Sequence, residues 1–375
     1  MDADEYADLR AALDYAELSL ETGDGRQALE QAERILSLVR GRSDDDLLPA
    51  ALLTRALALE SVGRTADAIE ALEGIVAVRD PGRRWVRASM TLIWCYREIG
   101  DLERSLARGE GLLQNIREAG LDATDNAIKL QVTLASSYWS SGDVRHARRI
   151  LRNAAATAER VGLPEARAAA FWNLSIIESH DGDVEDALAL AAQALETFES
   201  VGNHTYAAQL RGVLGTFHLR LEPPDLDAAV PLLEQAADDF AWTRCSPINV
   251  IDNLETLARA RFLAGDLDGA ETLLDQVFSS TIAATFVEVS ALALRGQLEA
   301  ARGRTENARE SYRSAVYKLT AIGADRKAAK LWFELGTLLS EVGEPDGARE
   351  AFKQAAAATG QLRPRGRFTS AGAAG

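Results

Sequence analysis

Four histidines, two cysteines and an excess of carboxylates are the residues of this chain with the means for chemistry. His146, His180, His204 and His218 share no spacing that would gather them on one metal ion. None stands in a recognisable nucleophile motif. The sequence holds no G-x-x-x-x-G-K-S/T, no G-x-G-x-x-G and no H-E-x-x-H, so phosphate cradling, dinucleotide binding and zinc hydrolysis lack their usual signatures. The carboxylates fall in turns and on helix surfaces, where capping accounts for them. Cys95 and Cys245 lie 150 residues apart and suggest neither a disulfide framework nor a metal site; a reducing cytoplasm is the expected setting. Catalysis, a cofactor and a bound metal are not expected, which leaves recognition.

The elements that would position recognition residues follow one plan, clearest from Lys330 to Ala356. Trp332, Leu335, Gly336 and Leu339 share one helical face, Gly343-Glu344-Pro345 breaks the helix, and Ala348, Phe352 and Ala355 share one face of a second helix. The turn recurs at Gly23, Gly63, Gly100, Gly142, Gly182, Pro224, Gly265, Gly303 and Gly343, with spacings of 40, 37, 42, 40, 42, 41, 38 and 40 residues. Five residues after each comes a small side chain, Ser105 or an alanine such as Ala28, Ala187 or Ala348. Glycine suits the left-handed residue that ends a helix. Aspartate beside it suits the cap of the next helix. The small residue one turn on lets two helices touch.

This unit resembles the tetratricopeptide repeat, with its W-x2-L-G-x2-Y and A-x3-F patterns. The last copy carries the resemblance best, through Trp332, Leu335, Gly336, Leu339, Ala348, Phe352 and Ala355. The eighth adds Gly296, Ala308, Tyr312 and Ala315, and the fourth Leu134, Ala135, Tyr138, Ala147, Leu151 and Ala154. The period departs from the family's, at roughly 40 residues rather than about 34, and the closing proline is mostly missing. Such longer copies look like those in the sensor halves of bacterial transcriptional regulators. The resemblance spans about residues 6–359. It implies an all-α fold, a superhelical solenoid of about nine helix hairpins over residues 1–359, and a disordered tail over 360–375.

Composition agrees with an extended protein. The 375 residues are 47% apolar, enough for a core spread along a stack. A net charge of −16 argues against direct nucleic-acid binding by this chain and for a solubilising surface. Of 41 basic residues only five are Lys, a bias suggestive of a GC-rich bacterial genome. The acidic start M-D-A-D-E-Y is no signal peptide, and no apolar run reaches the ~20 residues of a membrane span.

Along the chain, Tyr6, Leu9, Leu13, Ala16 and Leu20 form the stripe of a first helix over about Tyr6 to Thr22, and 41–46 read as a polar loop. The third copy crowds Trp85, Met90, Trp94 and Tyr96 into one helix and places Gly109 and Gly111 in the next. Either a bulky neighbour needs the space there or the helix bends, and packing is the preferred reading. Glu222-Pro223-Pro224, Pro231 and the run through Pro247 mark 222–247 as a joint. The tail's Arg363, Arg365 and Arg367 read as solvated.

In tetratricopeptide folds the first helix of each pair lines the concave face. Carried over by register, that implies a groove of Arg87, Trp94 and Arg97 in the third copy and Lys129 and Trp139 in the fourth. Trp172, Asn173 and His180 follow in the fifth, Gln209 in the sixth and Arg259 in the seventh. Asn pairs with a peptide backbone, Arg and Lys with a carboxylate, and Trp supplies apolar area. Each Trp has a second reading as core. The expectation is a non-catalytic, regulatory scaffold for a peptide or protein segment. The alternative is the ligand- or peptide-sensing part of a helix-turn-helix regulator whose DNA-binding domain is missing ahead of Met1. The last helix, ending in Ala355 to Ala358, offers a face to a second copy, so a homo-oligomer is left open.

Overall fold

In the computed structural model the residues described are 3–21, 24–39, 46–78, 82–243, 245–280, 285–321 and 325–358. The expectations for Gly23, for most of the 41–46 loop and for the 360–375 tail lie outside them. Among the described residues, eighteen helices follow one another as nine hairpins. They are α1 (Ala3–Glu21) and α2 (Gly25–Val39), α3 (Leu47–Ser61) and α4 (Thr65–Ala77), α5 (Arg83–Glu98) and α6 (Leu102–Glu118). Next come α7 (Asp125–Ser140) and α8 (Val144–Val161), α9 (Pro164–Asp181) and α10 (Val184–Ser200), α11 (His204–His218) and α12 (Leu226–Phe240). Last are α13 (Pro247–Leu263) and α14 (Leu267–Ser279), α15 (Thr285–Ala301) and α16 (Thr305–Ala321), α17 (Asp325–Glu341) and α18 (Pro345–Ala358).

Most of the hairpin turns are made as their residue types require, although Arg64 at the second makes no side-chain cap. The recurrent glycine takes a positive φ, from 73° at Gly303 to 99° at Gly182, which a side chain would disfavour. The next residue caps the following helix: Asp101, Asp143, Asp183, Asp225 and Asp266 each accept the backbone N–H three residues on, as Asp24 does from Gln27 at 3.0 Å. The small residue that follows is sealed inside; Ala68, Ser105, Ala147, Ala187, Ala229, Ala270 and Ala308 are fully buried.

Glycine inside the first helix has a second purpose. A Cβ on Gly336 would stand 2.7 Å from the Phe352 ring, one on Gly296 2.7 Å from the Tyr312 ring, and one on Gly215 2.5 Å from Leu233. In each hairpin the large residue of the second helix fills the space that glycine leaves. Gly109 works likewise, its missing Cβ replaced by Leu134 of α7 at 2.5 Å. Gly111 faces open space, so packing explains only one of that pair. Tyr6 also departs from its expected stripe: it is 38% exposed, whereas Leu9, Leu13 and Ala16 are buried. Pro231 lies within α12 without ending it.

The chain divides into two compact units, 1–249 and 250–375, with the boundary in the first turn of α13. Unit 1 holds consecutive cores, one under α1–α3, one from α3 to α9 and one around α9–α11. Unit 2 holds one core among α13–α15 and one among α15–α18. In unit 1 first helices touch one another in series, α1 on α3, α3 on α5, α5 on α7 and α7 on α9. No pair of second helices packs comparably among the described residues. Axes drawn together on one side and apart on the other bend that stack toward its first helices. No described helix is long and apolar enough to cross a membrane.

Candidate functional site

The bend of unit 1 gathers polar side chains from three successive first helices. Arg97 ends α5, Ser136, Trp139 and Ser140 come from α7, and Asn173 comes from α9. They enclose a cavity of about 250 Å³ whose apolar wall is Leu151, Ile176 and Ile177. Repeat register explains the convergence. Arg97 and Trp139 each stand three residues before a turn glycine, so successive hairpins present them side by side.

Arg97 is half-buried, and its ion pair among the described residues is with neighbouring Glu98 at 3.8 Å. Burial pushes its pKa below the ordinary arginine value, partly countered by Glu98. Asn173 is held by Nδ2 donating to the Ala169 carbonyl at 2.9 Å and by Oδ1 accepting from the Ser136 hydroxyl at 3.3 Å. An amide so fixed keeps a second N–H and a second lone pair for a ligand. The Trp139 ring lies 5.1 Å from that of His180, which is exposed at the end of α9. The site thus offers a desolvated cation, an oriented amide, two hydroxyls and an indole, the groups that hold a carboxylate and a backbone.

The other residues expected in the groove are dispersed. Arg87 is exposed on α5, and Trp94 packs half-buried against the core. Lys129 pairs with Asp125 at 2.7 Å. Trp172 turns to its own hairpin and the next, its ring centroid 6.4 Å from Phe198 and 5.9 Å from Tyr206. Its buried Nε1 meets no acceptor among the described residues. Gln209 donates to the Cys245 sulfur at 3.6 Å. Arg259 belongs to unit 2, where it reaches Glu255 at 2.6 Å and Ser290 at 3.2 Å. Unit 2 has its own cavity, about 490 Å³, whose lining includes Phe333, Tyr312, Glu334 and Glu341.

Ser136 and Ile176 line the site although the sequence reading did not select them. Both stand six residues before their turn glycine, the position of Trp94, so the register that selected Trp94 also marks them. Among the described residues no three His, Cys, Asp or Glu side chains come together as metal ligands.

Comparison with known proteins places this architecture. Tetratricopeptide-repeat models match residues 132–202 and 254–276. No curated protein sequence matches the chain. A Rap protein solved in complex with competence and sporulation factor is similar in fold, with TM-score 0.62, 13% identity, and 95% of this chain and 98% of that one covered. The apo quorum sensor NprR from B. thuringiensis aligns with TM-score 0.60 and 12% identity over 96% of this chain and 100% of that one. A signal-transduction ATPase with a tetratricopeptide-repeat sensor, from Pyrococcus horikoshii, aligns with TM-score 0.56 and 14% identity, over 86% of this chain and half of the other. At these identities the likeness is one of fold.

Proposed function

We propose that this chain, a stack of tetratricopeptide-type hairpins resembling the sensor halves of bacterial regulators, binds an extended peptide or protein segment in the cavity between α5, α7 and α9. It does so without catalysis, as a regulatory scaffold. One observation carries the reading: the half-buried Arg97 cation, weakly paired, beside the oriented Asn173 amide and the Trp139 ring. Burying a charge without a close counter-ion costs stability, and an incoming carboxylate offsets that cost. The Asn173 amide then pairs with the segment's backbone, and the indole takes an apolar side chain. The solved neighbour carrying competence and sporulation factor supports a fold suited to such cargo. The two free cysteines support a reducing, cytoplasmic setting.

The test is selection of unstructured peptides from a displayed library on the full chain. Enriched peptides should carry a carboxylate next to an apolar residue. Arg97→Gln with Asn173→Ala should weaken their binding by about tenfold or more, with the helical circular dichroism retained. Equal binding by the folded double variant assigns recognition elsewhere.

A further inference from the structure

The second helices of this stack present one row of residues directly away from their hairpins. In α8 the buried row is Ala147, Leu151, Ala154 and Ala158. The opposite row contains Arg145, Arg149, Arg152 and Arg160, all exposed. At a rise of 1.5 Å per residue these four cations line about 22 Å of one face. They have little to neutralise them. Among the described residues Arg149 reaches only the His146 ring, at 3.3 Å, and Arg152 lies 3.6 Å from Glu178, a carboxylate already held by Arg148 at 2.6 Å. Arg145 and Arg160 form no ion pair among the described residues, and Glu159, next to Arg160, is held by Arg167 at 3.2 Å.

The repeat supplies its own control. The positions of Arg145, Arg149 and Arg152 relative to the turn have counterparts in the other eight second helices. Every one of those helices has at least one acidic residue there, and none has more than one basic residue. In a chain of net charge −16, a solubilising surface does not call for an arginine row on one helix. The next second helix, α10, has Glu185, Ala189, Ala192 and Glu196 in the same row, all exposed. A basic row thus adjoins an acidic row with a small-residue centre, on the side of unit 1 turned away from the cavity.

We propose that these two rows form a self-complementary dimer interface, occupied by a second copy of this chain. A two-fold axis running along the helices, midway between α8 and α10, lays α8 of each copy parallel on α10 of the other and closes the pair. In that register Arg145 faces Glu185 of the partner subunit. Arg152 and Arg160 flank Glu196 of the partner subunit. The arginine stems lie over the partner's Ala189 and the partner's Ala192, where no side chain holds the helices apart. The bend of the stack curves the flanking acidic rows away from the axis, so like charges on α6 and α12 are not forced together. This inference does not depend on the cavity.

Sedimentation velocity of the full chain tests it. The wild type should dimerise in low salt and dissociate as salt rises. Two reversals should each be monomeric with unchanged circular dichroism: R145E/R149E/R152E, and E185R/E196R. Each weakens the dimer about tenfold or more. Mixing the two reversed proteins should restore a dimer, because both contacts are then complementary again. A wild type that is monomeric in low salt overturns the proposal. So does a reversed variant that still dimerises alone, or a mixture that stays monomeric, including one whose arginines retain nucleic acid or another protein instead.

Discussion

A methyl group on Gly336 would stand 2.7 Å from the Phe352 ring, and one on Gly296 as close to the Tyr312 ring. Either residue changed to Ala should therefore cost about 1–3 kcal/mol by overpacking, read from a thermal melt. Gly111, in open helix surface, should respond oppositely, Gly111→Ala gaining up to about 1 kcal/mol. The thiols differ just as sharply. Burial, with help from the Glu60 and Glu98 charges, pushes Cys95 up to about 12, and it has no exposed surface. Cys245 is partly exposed. An alkylating reagent at neutral pH should label Cys245 in the folded protein and Cys95 only after unfolding. At Asp252 the side chain keeps access to solvent, yet the surrounding protein and then the Glu255 charge push its carboxyl up to about 6. An acid held above its unfolded value binds protons more tightly when folded. Its contribution is therefore present below the ordinary carboxylate range and lost as pH rises through about 6. Asp252→Asn should raise the melting temperature above neutral pH and leave it unchanged in acid.

At the scale of the helix pair, the contact behind Ala187 belongs to every hairpin. Ala187 is fully buried where α10 meets α9, so Ala187→Leu should cost about 1–3 kcal/mol. Asp183→Ala removes a cap and should cost about 1 kcal/mol, seen as a lower melting temperature. These pairs were legible in sequence because each requirement falls on a residue type: left-handed turn on Gly, cap on Asp, close approach on Ala. The candidate site was legible only in part. Arg97, Trp139 and Asn173 were found by register and do converge, whereas Trp172, next to Asn173, turns into the hairpin core. One residue is about 100° of helix, so a face is read correctly or lost on a single step. Ser136 was missed because a serine carries no signal of its own.

Across the whole chain, the nine-fold period survives although the cores partition into two units at 249–250. The boundary leaves no mark in the spacing, which is 41 residues there, because spacing records hairpin length and not how cores are shared. Charge is the other property of the whole. A surplus of acid spread over the helix surfaces makes weakly paired cations informative, and unit 1 carries Arg97 inside the bend and the α8 row outside it. The account rests most on the first. Its most direct test is the affinity of a library-selected peptide for the wild-type chain and for Arg97→Gln, by isothermal titration. A carboxylate-bearing peptide should bind the wild type and lose about tenfold or more on the substitution, while the same peptide with its carboxylate amidated binds both equally weakly. Equal, tight binding of both peptides to both proteins would contradict the account.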